Sequence, residues 1–256
     1  MLIDSHAHLD DERFDPDREN IISSLKENGI SLVVNPGSDL SSSIKAVRLS
    51  EEYENIYAAV GVHPHEAKAM SEETIEALRS LSAREKVVAI GEIGLDYFYD
   101  NSPRDIQKKW FLEQIRLAKE ADLPIIVHSR DASQDTFDII NQEKDNRLRG
   151  VLHCYSGSEE MAREYIKLGF YISFGGPVTF KNSKVSKKVA QDIPLDKMLI
   201  ETDSPYLTPE PNRGKRNEPS YVKYVARTIA EIRGISFEEL AEKTAENAKN
   251  LFKIEE

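Results

Sequence analysis

The chain has 256 residues, of which 39% are hydrophobic and 31% are charged, and its formal net charge is −11. This balance is typical of globular proteins and argues against a chain that coats nucleic acid with a basic surface. No apolar run approaches the roughly 18–20 residues that span a bilayer, and the N-terminal segment lacks the pattern of a secretory signal. A single cysteine, Cys154, excludes an intrachain disulfide, so we expect a reducing, cytoplasmic location.

Short apolar runs alternate with longer amphipathic stretches along the whole chain. Several runs are rich in β-branched residues and nearly continuous in hydrophobicity, which is typical of parallel strands covered on both faces. The predicted strands cover residues 2–3, 32–34, 56–62, 87–90, 125–127, 151–152, 170–174 and 198–200.

Helix signals lie between these runs. Residues such as Ile21, Ile22 and Leu25 recur at helical spacing, and glycines suited to a left-handed C-terminal turn follow. The start signals are Ser71, the pair Ser102-Pro103, Ser158 and Ser236, and the end signals are Gly29 and Gly169. Eight strand–helix units of about 30 residues each match a single (β/α)₈ TIM barrel domain over residues 1–256. A doubly wound open sheet shows the same alternation, so the positions of the polar residues must discriminate.

All six histidines and two acids lie at or just after the C-terminal end of a predicted strand. In a closed barrel these ends meet on one face, where active sites are built. In an open sheet, residues from the first, third, fourth, fifth, sixth and eighth strands would not converge, so we predict a barrel with its site at the C-terminal face. The residues are His6, His8, His63, His65, Glu92, His128, His153 and Asp203.

Most of this set has the chemistry of metal ligands. His6 and His8 are two residues apart on a strand and therefore point the same way. Alone this pair is a weak signal, but burying so many ionisable groups together without a cation would be costly. Imidazole-rich ligation favours zinc, manganese, iron, cobalt or nickel over calcium, and magnesium is less natural. The predicted ligands of one or two divalent ions are His6, His8, Glu92, His128, His153 and Asp203.

Three other features stand near these residues. Cys154 follows His153 directly, so we expect its side chain to face away from the site. Residues 97–99 are aromatic, and packing in the core and stacking on a base are both open to them. A basic cluster at Arg213, Lys215 and Arg216 is either a solvated surface run or a contact for an anionic partner.

At these residues the sequence resembles the TatD family of metal-dependent deoxyribonucleases. The resemblance extends over essentially the whole chain, and the order of its motifs is more specific than any one of them. The matching segments are DSHAHL (4–9), VGVHPH (60–65), IGEIGLD (90–96), PIIVHSR (124–130), HCYSG (153–157), ETDSPYL (201–207) and RGKRNEP (213–219).

The resemblance implies a site with two divalent ions (Zn, Mn, Mg, Co or Ni) that hydrolyses DNA phosphodiesters through activated water. One ion would be held by His6, His8 and Asp203, the other by His128 and His153, with Glu92 bridging them. We expect DNA that is single-stranded or has accessible ends, exonuclease action, and neither a membrane nor an obligate protein partner.

Roles for the other site residues follow as a hypothesis. Asp203 accepts or relays the proton of the attacking water, and His63 contacts the phosphate or the leaving group. The substrate-binding candidates are His65, Arg130, Arg213, Lys215 and Arg216, with His65 alternatively positioning a metal ligand.

Two other functions fit the same residues. The first is a metal-dependent amide, lactone or aminoacyl-ester hydrolase, which an enclosed apolar pocket would favour. The second is a non-catalytic, metal-dependent binding protein. An open groove lined by Arg213 and Lys215 would favour DNA instead.

Overall fold

The computed structural model describes residues 1–254, so the last two residues of the predicted 1–256 domain lie outside the described part. The strands are β1 (Leu2–Asp4), β2 (Ile30–Pro36), β3 (Ile56–Val60), β4 (Val87–Asp96), β5 (Ile125–Arg130), β6 (Gly150–Leu152), β7 (Tyr171–Phe174) and β8 (Met198–Ile200). They follow one another in chain order within one eight-stranded sheet. Every predicted strand is present, and the predicted (β/α)₈ barrel fold is confirmed.

Helices separate successive strands, and two helices follow the last one. They are α1 (Arg18–Ser24), α2 (Leu40–Glu52), α3 (Glu72–Ser82), α4 (Arg104–Ala121), α5 (Ser133–Glu143), α6 (Glu159–Lys167), α7 (Lys184–Asp192), α8 (Val222–Arg233) and α9 (Phe237–Phe252). Within residues 1–254, no helix has both the length and the apolar content needed to cross a membrane.

Most predicted helix signals are confirmed, and one is wrong. Ser71 and Ser236 accept backbone N–H groups at the starts of α3 and α9, and Ser158 does so at α6. Ser102, by contrast, does not cap α4, which begins after Pro103. Its hydroxyl donates to the carbonyl of His65 at 2.8 Å instead and accepts from the amide of Lys68 at 3.0 Å, so it holds the loop after His63 and not the start of the helix.

Internal contacts divide the chain into two compact units. The first, which we call the terminal unit, comprises Met1–Asn35, His153–Lys167 and the chain from Tyr171 onward. The second, the central unit, comprises Pro36–Leu152 and Leu168–Phe170.

In the terminal unit, β1 pairs in parallel with β2, and β7 pairs with β8. The amide of Ser5 donates to the carbonyl of Ile200 at 3.1 Å, which joins the end of β8 to the end of β1. Beyond these ends, the amide of Asp203 donates to the carbonyl of His6 at 2.9 Å. The first and last strands of the chain therefore present their C-terminal residues side by side.

In the central unit, β3, β4, β5 and β6 are neighbours in parallel register. Here β4 runs on to Asp96, so Glu92 lies within the strand, whereas the prediction placed it just after the strand end. The register of the pairing between β4 and β5 shifts between Ile90 and Ile93. Gly94 has φ +144°, and a Cβ there would lie 1.9 Å from the carbonyl oxygen of His128. Only glycine permits this close approach of β4 to the strand that carries His128.

Candidate metal centre

The terminal unit brings together His6, His8 and Asp203, which we call the terminal cluster. The Nε2 atoms of the two histidines lie 3.1 Å apart, and each is 3.6 Å from Oδ1 of Asp203. The side chain of His6 is fully buried, while the other two retain about an eighth of their exposure. Three donor atoms thus surround one small space at the ends of two adjacent strands.

The charge of Asp203 suits a cation site. Burial by itself raises the pKa of a carboxyl group, but at Asp203 the hydrogen bond with His8 and the charges of His6 and His153 outweigh it and lower the pKa. The group is therefore a carboxylate at neutral pH, and its negative charge favours a bound cation.

His153 lies against the terminal cluster, its ring stacked on that of His6 at 4.1 Å between centroids. Its Nδ1 is 3.2 Å from Oε1 of Glu201, and the amide of Cys154 donates to the same oxygen at 2.7 Å. When Nδ1 carries the proton, Nε2 keeps its lone pair for a metal.

Glu201 is a site residue that the sequence reasoning missed, although it stood within the ETDSPYL motif. The available signal was its position two residues before Asp203, at the end of the same strand. Among residues 1–254, Oε2 of Glu201 is buried and has no hydrogen-bond partner. An unsatisfied buried carboxylate oxygen is costly, which fits a cation near this group.

The central unit brings together His63, Glu92 and His128, which we call the central cluster. Oε1 of Glu92 lies 3.0 Å from Nδ1 of His128 and 3.5 Å from Nε2 of His63. The glutamate side chain is 5% exposed. A buried carboxylate beside an imidazole nitrogen at 3.0 Å can share a cation with that nitrogen.

Asp96 holds the histidines around this cluster and had no predicted role. Its Oδ2 lies 2.9 Å from Nε2 of His128 and 3.0 Å from Nε2 of His65. Burial opposes ionisation, yet the hydrogen bonds from His128 and from the amide of Tyr99 hold the pKa of Asp96 well below its usual range. With Nε2 of His128 donating to Asp96, Nδ1 is left facing Glu92 as a ligand atom.

His63 is set up differently. The amide of His65 donates to Nδ1 of His63 at 3.2 Å, so in the neutral ring the proton resides on Nε2. A protonated Nε2 is a hydrogen-bond donor and not a metal ligand. This favours the predicted contact of His63 with a phosphate or a leaving group.

Both clusters fit a divalent ion. Two ligands that each lie about 2.1 Å from one ion are about 3.0–3.4 Å apart, close to the separations in the terminal cluster and between Glu92 and His128. The donors are imidazole nitrogens and carboxylate oxygens, which suits zinc, manganese, cobalt or nickel better than calcium. In residues 1–254, Cys154 belongs to none of the potential ligand groups.

The basic candidates occupy contrasting environments. Arg216 makes two hydrogen bonds to the carboxylate of Asp17, at 2.8 and 2.6 Å, and donates to the carbonyl of Arg13. Its guanidinium is thus engaged within the protein. Arg213 and Lys215 are exposed, with Arg213 stacked on the ring of Phe180. Phosphate binding by these residues stays a prediction.

Comparison with known proteins identifies a family whose sequence model matches this chain. The model of the family described as TatD related DNase matches residues 3–253. The chain is 54% identical over 254 residues to the uncharacterized metal-dependent hydrolase YabD of Bacillus subtilis (strain 168), covering 99% of this chain and 100% of that protein. It is 34% identical over 256 residues to the 3'-5' ssDNA/RNA exonuclease TatD of Cronobacter sakazakii, covering 98% and 97%.

A solved structure is similar over the same length. The crystal structure of YjjV, a TatD homolog from Escherichia coli K12, superposes with a TM-score of 0.94 at 31% identity. The match covers 99% of this chain and 98% of that one.

Proposed function

The chain belongs to the TatD-related DNase family and is a metal-dependent hydrolase, and from that premise we propose that it is an exonuclease hydrolysing the phosphodiester bonds of DNA. The observation that carries the proposal is that each unit holds a largely buried carboxylate beside imidazole nitrogens at the spacing of metal ligands. The exonuclease of Cronobacter sakazakii, similar over 98% of this chain, supports the choice of substrate.

We assign the ions to the clusters. His6, His8 and Asp203 would hold one divalent ion, and Glu92 with His128 a second. The sharing of Glu92 between both ions and the assignment of His153 to the second stay predictions from the resemblance. Ions bound in such sites lower the pKa of a coordinated water and polarise a phosphoryl oxygen.

The chain's own residues would then move the protons of the reaction. As water attacks phosphorus, its proton passes to the carboxylate of Asp203, which is ionised at neutral pH. The bond from phosphorus to the leaving sugar oxygen breaks, and Nε2–H of His63 donates to that oxygen. Asp96 holds His128 in place throughout.

Chelation tests this proposal directly. Exhaustive treatment with EDTA is expected to abolish cleavage of a single-stranded oligonucleotide, and manganese or magnesium to restore it. Glu92→Ala is expected to lose activity and bound metal together, as measured by elemental analysis. The matched control is Glu246→Gln, which alters an exposed glutamate paired with Lys243 on α9.

Other outcomes would redirect the assignment. Full activity after exhaustive chelation would refute the metal-dependent scheme. Turnover of a panel of esters and lactones without oligonucleotide cleavage would identify a carbonyl substrate. Metal binding without turnover of any of these substrates would point to a binding protein.

A further inference from the structure

Two exposed aromatic side chains, whose rings meet edge to face at 89°, and one arginine form a continuous exposed surface in the central unit, which we call the aromatic platform. Phe98 and Tyr99 are 56% and 54% exposed, and their ring centroids are 4.9 Å apart. The guanidinium carbon of Arg130 lies 4.0 Å from the centroid of Phe98 and 4.8 Å from that of Tyr99. A contiguous exposed apolar patch rimmed by a charged group is typical of an interaction site.

The guanidinium of Arg130 has no carboxylate partner among the described residues. Within residues 1–254, its guanidinium forms no ion pair and no hydrogen bond, and its contacts are with the two rings. Three other arginines that stack on aromatic rings are each paired with a carboxylate. These pairs are Arg13 with Asp11, Arg104 with Asp100, and Arg216 with Asp17.

The platform is attached to the central cluster through Asp96. The amides of Phe98 and Tyr99 donate to Oδ1 of Asp96 at 3.0 and 2.9 Å, while the second oxygen of that carboxylate holds His128 and His65. The ring of Tyr99 also contacts that of His65, at 5.3 Å between centroids. One side chain therefore fixes both the platform and a ligand of the central cluster.

The structure also separates the aromatic residues whose role the sequence left open. Tyr97 is partly buried; its hydroxyl donates to Asp135 at 2.6 Å and its ring is covered by Arg104. It therefore serves packing. The side chains of Phe98 and Tyr99 form no comparable hydrogen bond in the described residues, and about half of their surface is exposed to solvent.

We propose that the platform stacks one unpaired nucleobase of the substrate strand, while Arg130 contacts an adjoining phosphate. The inference rests on the proposed nuclease function and deepens it. Every base offers a π face, so stacking recognises nucleic acid without reading its sequence. Bases inside a duplex already have both faces covered, so the platform selects single strands and frayed ends.

Fluorescence of a stacked base tests the contact itself. A short single strand with phosphorothioate linkages and one 2-aminopurine, moved stepwise along it, is titrated with the full-length protein. We expect quenching at one position, and its loss in Phe98→Ala/Tyr99→Ala with an affinity about tenfold or more lower. Tyr99→Phe, which keeps the ring, should retain the quenching.

Matched controls come from the adjoining chain, at Tyr97 after β4 and at Arg104 in the first turn of α4. Arg104→Ala and Tyr97→Phe alter the neighbouring, internally paired arginine and tyrosine and should leave quenching and affinity unchanged. Equal quenching in wild type and in the double alanine variant would overturn the proposal.

A substrate with a missing base tests the inference in the unaltered protein, so folding of a variant is not at issue. Replacing single nucleotides by an abasic tetrahydrofuran residue should lower kcat/KM about tenfold or more at one position near the cleaved bond. In Phe98→Ala/Tyr99→Ala, that position should no longer matter. Wild-type cleavage that is insensitive to the abasic residue at every position would overturn the platform and leave the nuclease intact. Absence of any oligonucleotide binding or cleavage would overturn both.

Discussion

The terminal and central clusters use the same residue types but are held in different ways. In the terminal cluster, imidazoles face one another and a single carboxylate, Asp203, at 3.1–3.6 Å. In the central cluster, the imidazole of His128 is held between two carboxylates, Glu92 and Asp96, at 3.0 and 2.9 Å. Asp96 thus orients the central histidine from the side opposite Glu92, whereas the two terminal histidines share a single carboxylate.

The two clusters also differ in the aromatic residues that lie beside them. Tyr206 lies 6.1 Å from His8 between ring centroids, and it is tied to the neutralised pair of Arg13 and Asp11. The platform beside the central cluster carries an arginine without a carboxylate partner among the described residues. We therefore expect the terminal unit to contribute chiefly chemistry and the central unit to contribute both chemistry and strand recognition.

The largest expected effect belongs to Asp203→Asn. This change removes the one carboxylate of the terminal cluster and the proton acceptor, so kcat/KM should fall at least about 10³-fold. Elemental analysis should show loss of one ion while the central cluster keeps its own. Retention of both ions and of activity would contradict the distinction between the clusters.

His63→Gln should separate proton donation from metal binding. Because Nε2 of His63 carries the proton, its loss should lower kcat by about 10²–10⁴-fold and leave the metal content unchanged. A leaving group with a low pKa, such as p-nitrophenolate, should restore most of the rate because it needs no proton. If the variant instead loses an ion, His63 is a ligand.

Asp96→Asn and Glu201→Gln form a matched pair that compares how each unit positions a histidine. Asp96→Asn removes a carboxylate that accepts from two histidines and two backbone amides. The new amide nitrogen lies opposite Nε2 of His128, so the imidazole proton moves to Nδ1, which is the ligand atom. Metal affinity should fall about 10–100-fold. In Glu201→Gln, one remaining oxygen can still accept from both His153 and Cys154, so the loss should be smaller. An equal or larger loss would show that Glu201 itself holds an ion.

The smallest effect concerns pH and the pair beside the terminal cluster. The hydrogen bond from Arg13, opposed in part by burial, lowers the pKa of Asp11 to about 2. A depressed carboxyl pKa adds stability above its unfolded value and loses it as pH falls towards 2. For this part-exposed pair the contribution should stay below about 1 kcal/mol. The ¹³C shift of the Asp11 carboxyl should titrate near pH 2 in the wild type and near pH 4 in Arg13→Ala. The same titration midpoint in both proteins would show that Arg13 does not lower the pKa of Asp11.

Much of the fold, and which histidines and acids come close together within each unit, could be predicted from the sequence, because both depend on local patterns. Apolar runs of β-branched residues place the strands, and the histidines that follow them mark the strand ends. Asp96 and Glu201 were not predicted, because an acid in a motif does not reveal which side chain its oxygens accept from. The role of Ser102 was wrong for the same reason, since its partner, the carbonyl of His65, is distant in the chain.

The sequence by itself determined which residues can bind a cation and the order in which strands and helices deliver them, since spacing and side-chain chemistry are local properties. Only the tertiary structure decided which nitrogen of each histidine faces a carboxylate, which arginines are paired with a carboxylate and which aromatic rings stay exposed. Those properties depend on hydrogen bonds and burial between residues far apart in the chain, and no local pattern encodes them.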